Sequence, residues 1–543
     1  MSNDFFNHLD DKEIFAFGDL HGDIHALRLL LDLTESIDPP ELGWDKLYEK
    51  VFAETDLHLN DLRSKSLYNI FGGFSDEIKK LFPKWKDGME DKVIVVTGDM
   101  IDNLRGKYTK LDDSVTCHIG FVKQEELKIV LCLKILDYQA IQADRGCRVI
   151  TLLGNHEDMN IKDINSDYFC QDDQFYYDGA NFITRKDFFI IYHKIFNFED
   201  GQKKIIFRVN NNIFMHGGMT SQIMSSFKQI FKQIFKQNDV VQMYNFIIIT
   251  NLSYSSESLR YNTAYNYLNK ILWDRDFGEP NNKTTVEICS EFNTMIKNFT
   301  NDDTFNLIVG HCVQSYVMYR NTEKEYVKSL NGKPSNVANK QFLRYFHSQT
   351  VRTKDKHVMS GTTEEKNILD SYDTIDSILD NPTIEFPSFI GINTTKCDST
   401  DRIFRLDVGM SKAFDDEYFY KKFDELYEKH SELSNIKTDE DKIKSLKHDD
   451  FLQLLKENNP ELHHYMKEQF FLLIKYVLSR APQLLHITNT KQTKVFRASL
   501  TNTLKYMSRD NIRLIPSDEV KNILFLITVA YIDQAEISFN EFG

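Results

Sequence analysis

Cysteine is scarce in this chain of 543 residues. There are seven, at 117, 132, 147, 170, 289, 312 and 397, with no Cys-x-x-Cys pair among them. That excludes the disulfide framework of a small secreted module, and the odd count and irregular spacing suit a reducing, cytoplasmic compartment. Long apolar runs are lacking too. The longest, Ile523 to Ile532, is about half of the ~20 residues that a bilayer span needs, so no transmembrane segment is expected. The N-terminus, MSNDFFNHLDDKE, is acidic and lacks the basic-then-apolar order of a secretory signal. Positive charge is in deficit: 66 Lys and Arg against 81 Asp and Glu leave a formal net charge of −15. A general nucleic-acid-binding surface normally shows the opposite balance, although a local basic pocket for a phosphorylated substrate is compatible with it.

What is present describes a soluble globular protein, 41% hydrophobic and 27% charged. Its length exceeds what one hydrophobic core usually serves, which predicts a large elaborated domain with an appendage. Five short segments stand out: Gly18-Asp19-Leu20-His21-Gly22, Gly98-Asp99-Met100-Ile101-Asp102-Asn103, Gly154-Asn155-His156-Glu157, His216-Gly217-Gly218 and Gly310-His311. Each sets an oxygen or imidazole donor beside glycine, and each follows an apolar run that reads as a buried strand: 13–17, 92–97, 148–153, 212–215 and 305–309. Helical patterns lie between them, at Ile24 to Leu33 and Gln124 to Asp144. Strand and helix in alternation predict an α/β core with its ligands at the carboxyl ends of the strands.

The catalytic domain is expected to span 1–415. It carries an insertion of one or two helices at about 39–91 and a long polar excursion at about 325–385. Beyond 415 the glycine punctuation ends, and amphipathic patterns at Asp416 to Leu433, Glu461 to Ser479 and Asp518 to Ala535 predict a helical region over 416–543. That region is also the expected surface for a protein partner. Phe227, Phe231 and Phe235, with Ile230 and Ile234, mark one further amphipathic helix.

Cleaving a phosphoester near neutral pH requires a nucleophile made from water and neutralisation of charge on the phosphoryl oxygens. Two divalent cations about 3.5–4 Å apart supply both. Holding them together takes a bridging carboxylate and a mixture of O and N donors. Asp19 and His21 can turn toward one cation, Asp99 is the natural bridge, and Asn155, His216 and His311 complete the second. His25, on the first helix, is expected to face solvent or the insertion, and Cys312 to be a small residue packed beside the ligand loop.

The five segments resemble the pattern of the calcineurin-type metallophosphoesterases, GDxHG, GDxxDRG, GNHE, HGG or HA and a late GH, and within them the phosphoprotein phosphatase (PPP) group. Leu272-Trp273-Asp274-Arg275 resembles the W-x-R segment of bacterial and phage phosphatases of this group. Phe404-Arg405-Leu406-Asp407-Val408-Gly409-Met410-Ser411 is similar to the closing strand of Shewanella-like and diadenosine-tetraphosphatase-like members. The resemblance covers about 250 residues in four blocks, 12–38, 92–220, 268–320 and 390–413.

It implies a four-layer α/β/β/α metallophosphoesterase sandwich and two divalent metal ions (Mn, Fe, Zn or Mg, with Mn expected in vitro). It also implies six ligands: Asp19, His21, Asp99, Asn155, His216 and His311. Asn155 would also touch the substrate phosphate. His156 would protonate the leaving oxygen while Asp102 orients it. One departure stands out. The family places arginine directly after the carboxylate equivalent to Asp102, where this chain has Asn103, and Arg105 comes two residues late. Either a local bulge returns Arg105 to the phosphate, or Arg275 carries the clamp. The implied activity is phosphoprotein hydrolysis at Ser/Thr, with Tyr as an option. The alternatives are hydrolysis of a dinucleoside polyphosphate or a nucleic-acid terminal phosphate, and a non-catalytic scaffold.

Overall fold

Ile14, Phe15, Ala16 and Phe17 are all buried, as are Val93, Ile94, Val95 and Val96. Runs with no polar face belong in the interior of a parallel sheet, and these two pair in parallel from Glu13 opposite Lys92 to Phe17 opposite Val96. They open a computed structural model that describes residues 12–49, 72–102, 109–111, 114–116, 125–143, 146–161, 174–176, 182–184, 205–225, 270–278, 285–299, 305–312, 392–397, 400–410 and 482–498.

Ten strands of the described residues make two five-stranded sheets. In chain order they are β1 Glu13–Phe17, β2 Lys92–Val96, β3 Arg148–Thr151, β4 Ile206–Val209, β5 Asn212–Met215, β6 Asn306–Val309, β7 Asn393–Cys397, β8 Thr400–Arg405, β9 Gln483–Ile487 and β10 Thr493–Arg497. The first sheet runs β10-β9-β1-β2-β3 and the second β4-β5-β6-β8-β7. β1, β2 and β3 are mutually parallel, as are β5, β6 and β8. β9 joins β1 antiparallel, and β4 and β7 pair antiparallel with β5 and β8. The mixed α/β architecture expected from the sequence is therefore present.

Period-two alternation divides the second sheet between two cores. Phe207, Val209, Phe214, Ile308 and Phe404 pack with the residues of the first sheet. Ile206, Ile213, Met215, Leu307, Val309 and Ile403 pack instead with Ile288, Phe292, Met295 and Ile296. Those four lie on α4, Thr285–Phe299.

Three more helices support the site. α1, Ile24–Leu33, starts at Asp23, whose side chain accepts from the N–H of His25 and Ala26 at 3.1 and 3.0 Å, a standard N-cap. α2, Glu125–Gln142, is fastened to β3. Arg148 Nε donates to Asp137 at 2.7 Å, the Val149 N–H donates to the same carboxylate, and Lys134 Nζ donates to Thr151 Oγ1. α3, Asn155–Ile161, begins one residue beyond Gly154. Trp44–Glu49 and Asp76–Lys79 are short helices of the first insertion.

The structure narrows or corrects the sequence reading at three places. His25 is buried, so of the two orientations expected for it only the one toward the insertion stays open. The stretch read as a helical tail contains β9 and β10, and β9 pairs with β1 from Ile14↔Ile487 to Ala16↔Leu485. A five-residue strand whose partner lies more than 450 residues away leaves no local periodicity. Third, Cys289 on α4 and Cys397 at the end of β7 form a disulfide across 108 residues of sequence, a pairing that irregular spacing did not reveal. Among the described cysteines, Cys132, Cys147 and Cys312 are buried. The helical patterns at 416–433, 461–479 and 518–535, the Phe227 helix and the 325–385 excursion lie outside the described residues. No helix of the described residues is long and apolar enough to cross a membrane.

Candidate metal centre

All the described site residues belong to one compact unit, Met1–Val313 with Ile392–Ala413 and Gln483–Phe496. They sit just past the carboxyl ends of the parallel strands: Asp19 and His21 after β1, Asp99 after β2, Asn155 and His156 after β3, His216 after β5 and His311 after β6. Backbone bonds knit these ends together. The N–H of His21 donates to the Asp99 carbonyl, and that of Gly310 to the His216 carbonyl. The two sheets meet where the His311 N–H donates to Asp19 Oδ2 at 2.9 Å and His216 Nδ1 contacts the Thr97 carbonyl at 3.0 Å.

The turns that bring the donors inward are conformationally costly. His21, Asp99, Asp102 and His311 all have positive φ, at 40°, 48°, 73° and 65°. Outside glycine this left-handed backbone costs on the order of 1–2 kcal/mol per residue, and where several such residues cluster the cause is usually functional. Gly98, at φ +114°, and Gly154 make room. A Cβ on Gly98 would lie 2.7 Å from the Gly154 Cα and 2.8 Å from His216 Nδ1, and one on Gly154 would overlap the Asp99 carboxylate.

Asp99 lies at the centre. His216 Nε2 is 3.3 Å from its Oδ2, His156 Nε2 3.8 Å and His21 Nε2 3.9 Å. Two trios of donor atoms share it, each within 4.8 Å: His21, Asp99 and His156, and Asp99, His216 and His311. Asn155 Oδ1 lies 2.7 Å from His216 Nε2. His156 Nδ1 is 2.6 Å from Asp102 Oδ2, which fixes its ring, and the His156 N–H donates to Asp99 Oδ1. The His156 and His21 rings meet edge to face, and Trp273 meets His311 in the same way at 5.8 Å.

These residues fit divalent cations. With Nδ1 of His216 donating to Thr97, its Nε2 presents a lone pair toward two further acceptors, Asn155 Oδ1 and Asp99 Oδ2. Acceptors that converge in this way call for a cation or a ring proton between them. Both ring nitrogens of His311 and Oδ2 of Asp99 are buried with no hydrogen-bond partner among the described residues.

The charges of the cluster act strongly on one another. Burial opposes the charge of Asp99, yet His216, His156 and His21 outweigh it and hold the carboxyl well below its ordinary range. Burial also opposes protonation of His216, but Asp99 beside it raises its pKa. Burial, followed by the charge of His216, lowers His311 to about 2, which keeps its imidazole neutral as a ligand must be. Burial, Asp407 and Asp99 together push Asp19 well above its ordinary value.

Two residues with no role in the sequence reading hold the bridge loop. Glu157 is fully buried and accepts from the backbone N–H of Asp99, Met100, Ile101 and Gly154 at 2.9, 2.7, 3.3 and 2.8 Å. Glu126 at the start of α2 accepts from the Asp102 N–H at 2.8 Å. Four consecutive N–H groups, 99 to 102, are thus satisfied by two carboxylates. An acidic residue in a helical pattern carries no mark of such a role; only the position of Glu157 inside the GNHE segment hinted at one.

Arg275 is exposed at the rim, and its charge helps to lower the pKa of His311. Its loop is anchored by the Gly218 N–H donating to the Ile271 carbonyl and by the buried Arg405, whose Nε donates to the Phe277 carbonyl. Arg105 and Asn103 lie outside the described residues.

A family model, calcineurin-like phosphoesterase, matches residues 50–295, a little under half of the chain. The match supports the metallophosphoesterase superfamily, whose members generally bind two divalent metals and hydrolyse phosphoric esters. Its span includes Asp99, Asp102, Asn155, His156 and His216, and the fold adds Asp19, His21 and His311 from outside it to the same cluster. No curated protein and no solved structure matches the chain significantly.

Proposed function

We propose that this chain is a metal-dependent phosphoprotein phosphatase of the PPP group, with two divalent cations held by Asp19, His21, Asp99, Asn155, His216 and His311. The observation that carries the reading is the pair of donor trios sharing Asp99. When bound, the cations supply a nucleophile from water and neutralise the phosphoryl oxygens. The chain's own residues do the rest. Asp102 fixes the His156 ring through Nδ1, so that Nε2 can give a proton to the departing oxygen of the substrate. Arg275 offers a guanidinium fork to the phosphoryl oxygens, joined by Arg105 if its segment folds back, and Asn155 steadies the phosphate. The buried floor around Asp99 excludes bulk water and strengthens each of these charges. A four-layer sandwich with two sheets at its centre and a cytoplasmic location complete the proposal.

A second reading, hydrolysis of a dinucleoside polyphosphate, draws on the likeness of the β8 segment to diadenosine-tetraphosphatase-like members. Competition of a phosphoserine peptide against dinucleoside tetraphosphate at equal concentration separates the two. Preference for the peptide supports the phosphoprotein reading, and preference for the nucleotide overturns it.

A further inference from the structure

Arg275 follows two residues that touch the metal centre. The Trp273 ring meets the His311 ring edge to face at 5.8 Å. Asp274 reaches the other side of the cluster: a Cβ on Gly218, two residues beyond His216, would lie 2.6 Å from Asp274 Oδ1. Arg275, exposed, is the next residue, at the rim between the His216 and His311 loops. Within its own loop one bond shapes the turn, from the Asp276 N–H to Asp274 Oδ1 at 3.0 Å. The far end is held from outside. The Phe277 ring is buried in the second core and Gly278 fits against Cys312, where a Cβ would lie 2.5 Å from Sγ. That packing places the end of the loop, and a bond from Arg405 orients its carbonyl. Arg405, the last residue of β8 and 1% exposed, donates from Nε to the Phe277 carbonyl. The same Arg405 pairs with Val309 of β6, two residues before His311. One strand end therefore fixes both the loop that carries Arg275 and the strand that delivers His311.

A guanidinium is costly to bury, because it cannot give up its charge. A neutral donor would satisfy a buried carbonyl at lower cost. What the charged group adds is a bond about twice as strong as a neutral one, given from a rigid plane. Only Asp276 lies between Phe277 and Arg275, so a rotation of the Phe277 peptide passes directly to the guanidinium. A misplacement of about 1 Å in a positioning group can cost about 10²-fold. We propose that Arg405 is a positioning residue for the phosphate clamp: through the Phe277 carbonyl it sets where Arg275 meets the phosphoryl oxygens. The proposal rests on the reading of Arg275 given above and assigns a role to a residue outside the family match.

The test measures binding of inorganic phosphate to the Mn²⁺-loaded full chain by calorimetry, with metal content taken on the same samples. Arg275→Ala should weaken phosphate binding by at least about tenfold, as loss of a charged hydrogen-bond donor does. Arg405→Met should weaken it by a similar factor while both Mn²⁺ stay bound. Arg405→Lys keeps a charged donor and should lose less; it also carries the comparison if Arg405→Met does not fold. In the double variant, Arg275→Ala with Arg405→Met, the second change should add less than about twofold, because a residue that acts through Arg275 has nothing left to position. Losses that multiply in the double variant overturn the proposal, as does an Arg405→Lys variant no better than Arg405→Met. Loss of a Mn²⁺ from Arg405→Met also overturns it, by marking Arg405 as a support of His311, and failure of both Arg405 variants to fold would leave Arg405 a core residue only. If Arg275→Ala binds phosphate as well as the unaltered chain, the reading of Arg275 as the clamp itself fails; if Arg275→Ala loses affinity and the Arg405 variants do not, only the positioning role fails.

Discussion

Asp99 has three imidazoles within 4 Å of one carboxylate oxygen and a left-handed backbone. Asp99→Asn should therefore abolish tight binding of both cations and lower turnover of p-nitrophenyl phosphate by at least about 10³-fold, since the bridge serves both sites. Equilibrium dialysis with Mn²⁺ checks the first effect and a steady-state assay the second. His156 permits a sharper division. As a proton donor its loss costs about 10²–10⁴-fold in kcat, so His156→Asn should slow turnover by that factor and keep two bound Mn²⁺. Loss of one cation in that variant would instead make it a ligand, as its trio with His21 and Asp99 allows. At this scale the sequence was most legible where donors stand beside glycine at a strand end. It was silent on Glu126 and marked Glu157 only by its place in the GNHE segment, because acidic residues are common and only a buried environment sets these two apart.

The loop from Asp99 to Asp102 keeps its shape because Glu157 and Glu126 satisfy its four N–H groups. Glu157→Gln replaces one accepting oxygen with an N–H donor facing other donors. It should destabilise the protein by on the order of 3 kcal/mol, read from urea unfolding. Burial, with the Asp99 charge, raises the Glu157 pKa from 4.5 to about 7. A carboxyl so raised stabilises the fold fully below pH ~4.5, and that contribution is lost as pH rises toward ~7. The melting temperature of the metal-free protein should accordingly fall over that interval, and fall less steeply in Glu157→Gln. Between α4 and β7, reduction of Cys289–Cys397 frees a loop of about a hundred residues. The chain-entropy model puts that at roughly 4–5 kcal/mol, so unfolding with and without dithiothreitol should differ, and Cys289→Ser should abolish the difference. Elements built from local pattern, such as β1 and α1, were legible almost to the residue. β9 was not, because its stability comes from pairing with the distant β1.

Across the whole molecule, parallel strands of both sheets converge on one cluster of donors from segments almost 300 residues apart, from Asp19 to His311. Strand ends so far apart in sequence are held in left-handed strain for a reason, and the reason advanced here is a pair of divalent cations that cleave a phosphoester. That claim is tested most directly by metal content and activity measured on one sample. The account predicts that the purified chain binds two Mn²⁺ per molecule, that chelation removes both together with turnover of p-nitrophenyl phosphate, and that Mn²⁺ restores them. Turnover that persists in the chelated, metal-free protein, or a chain that binds no divalent cation, would contradict it.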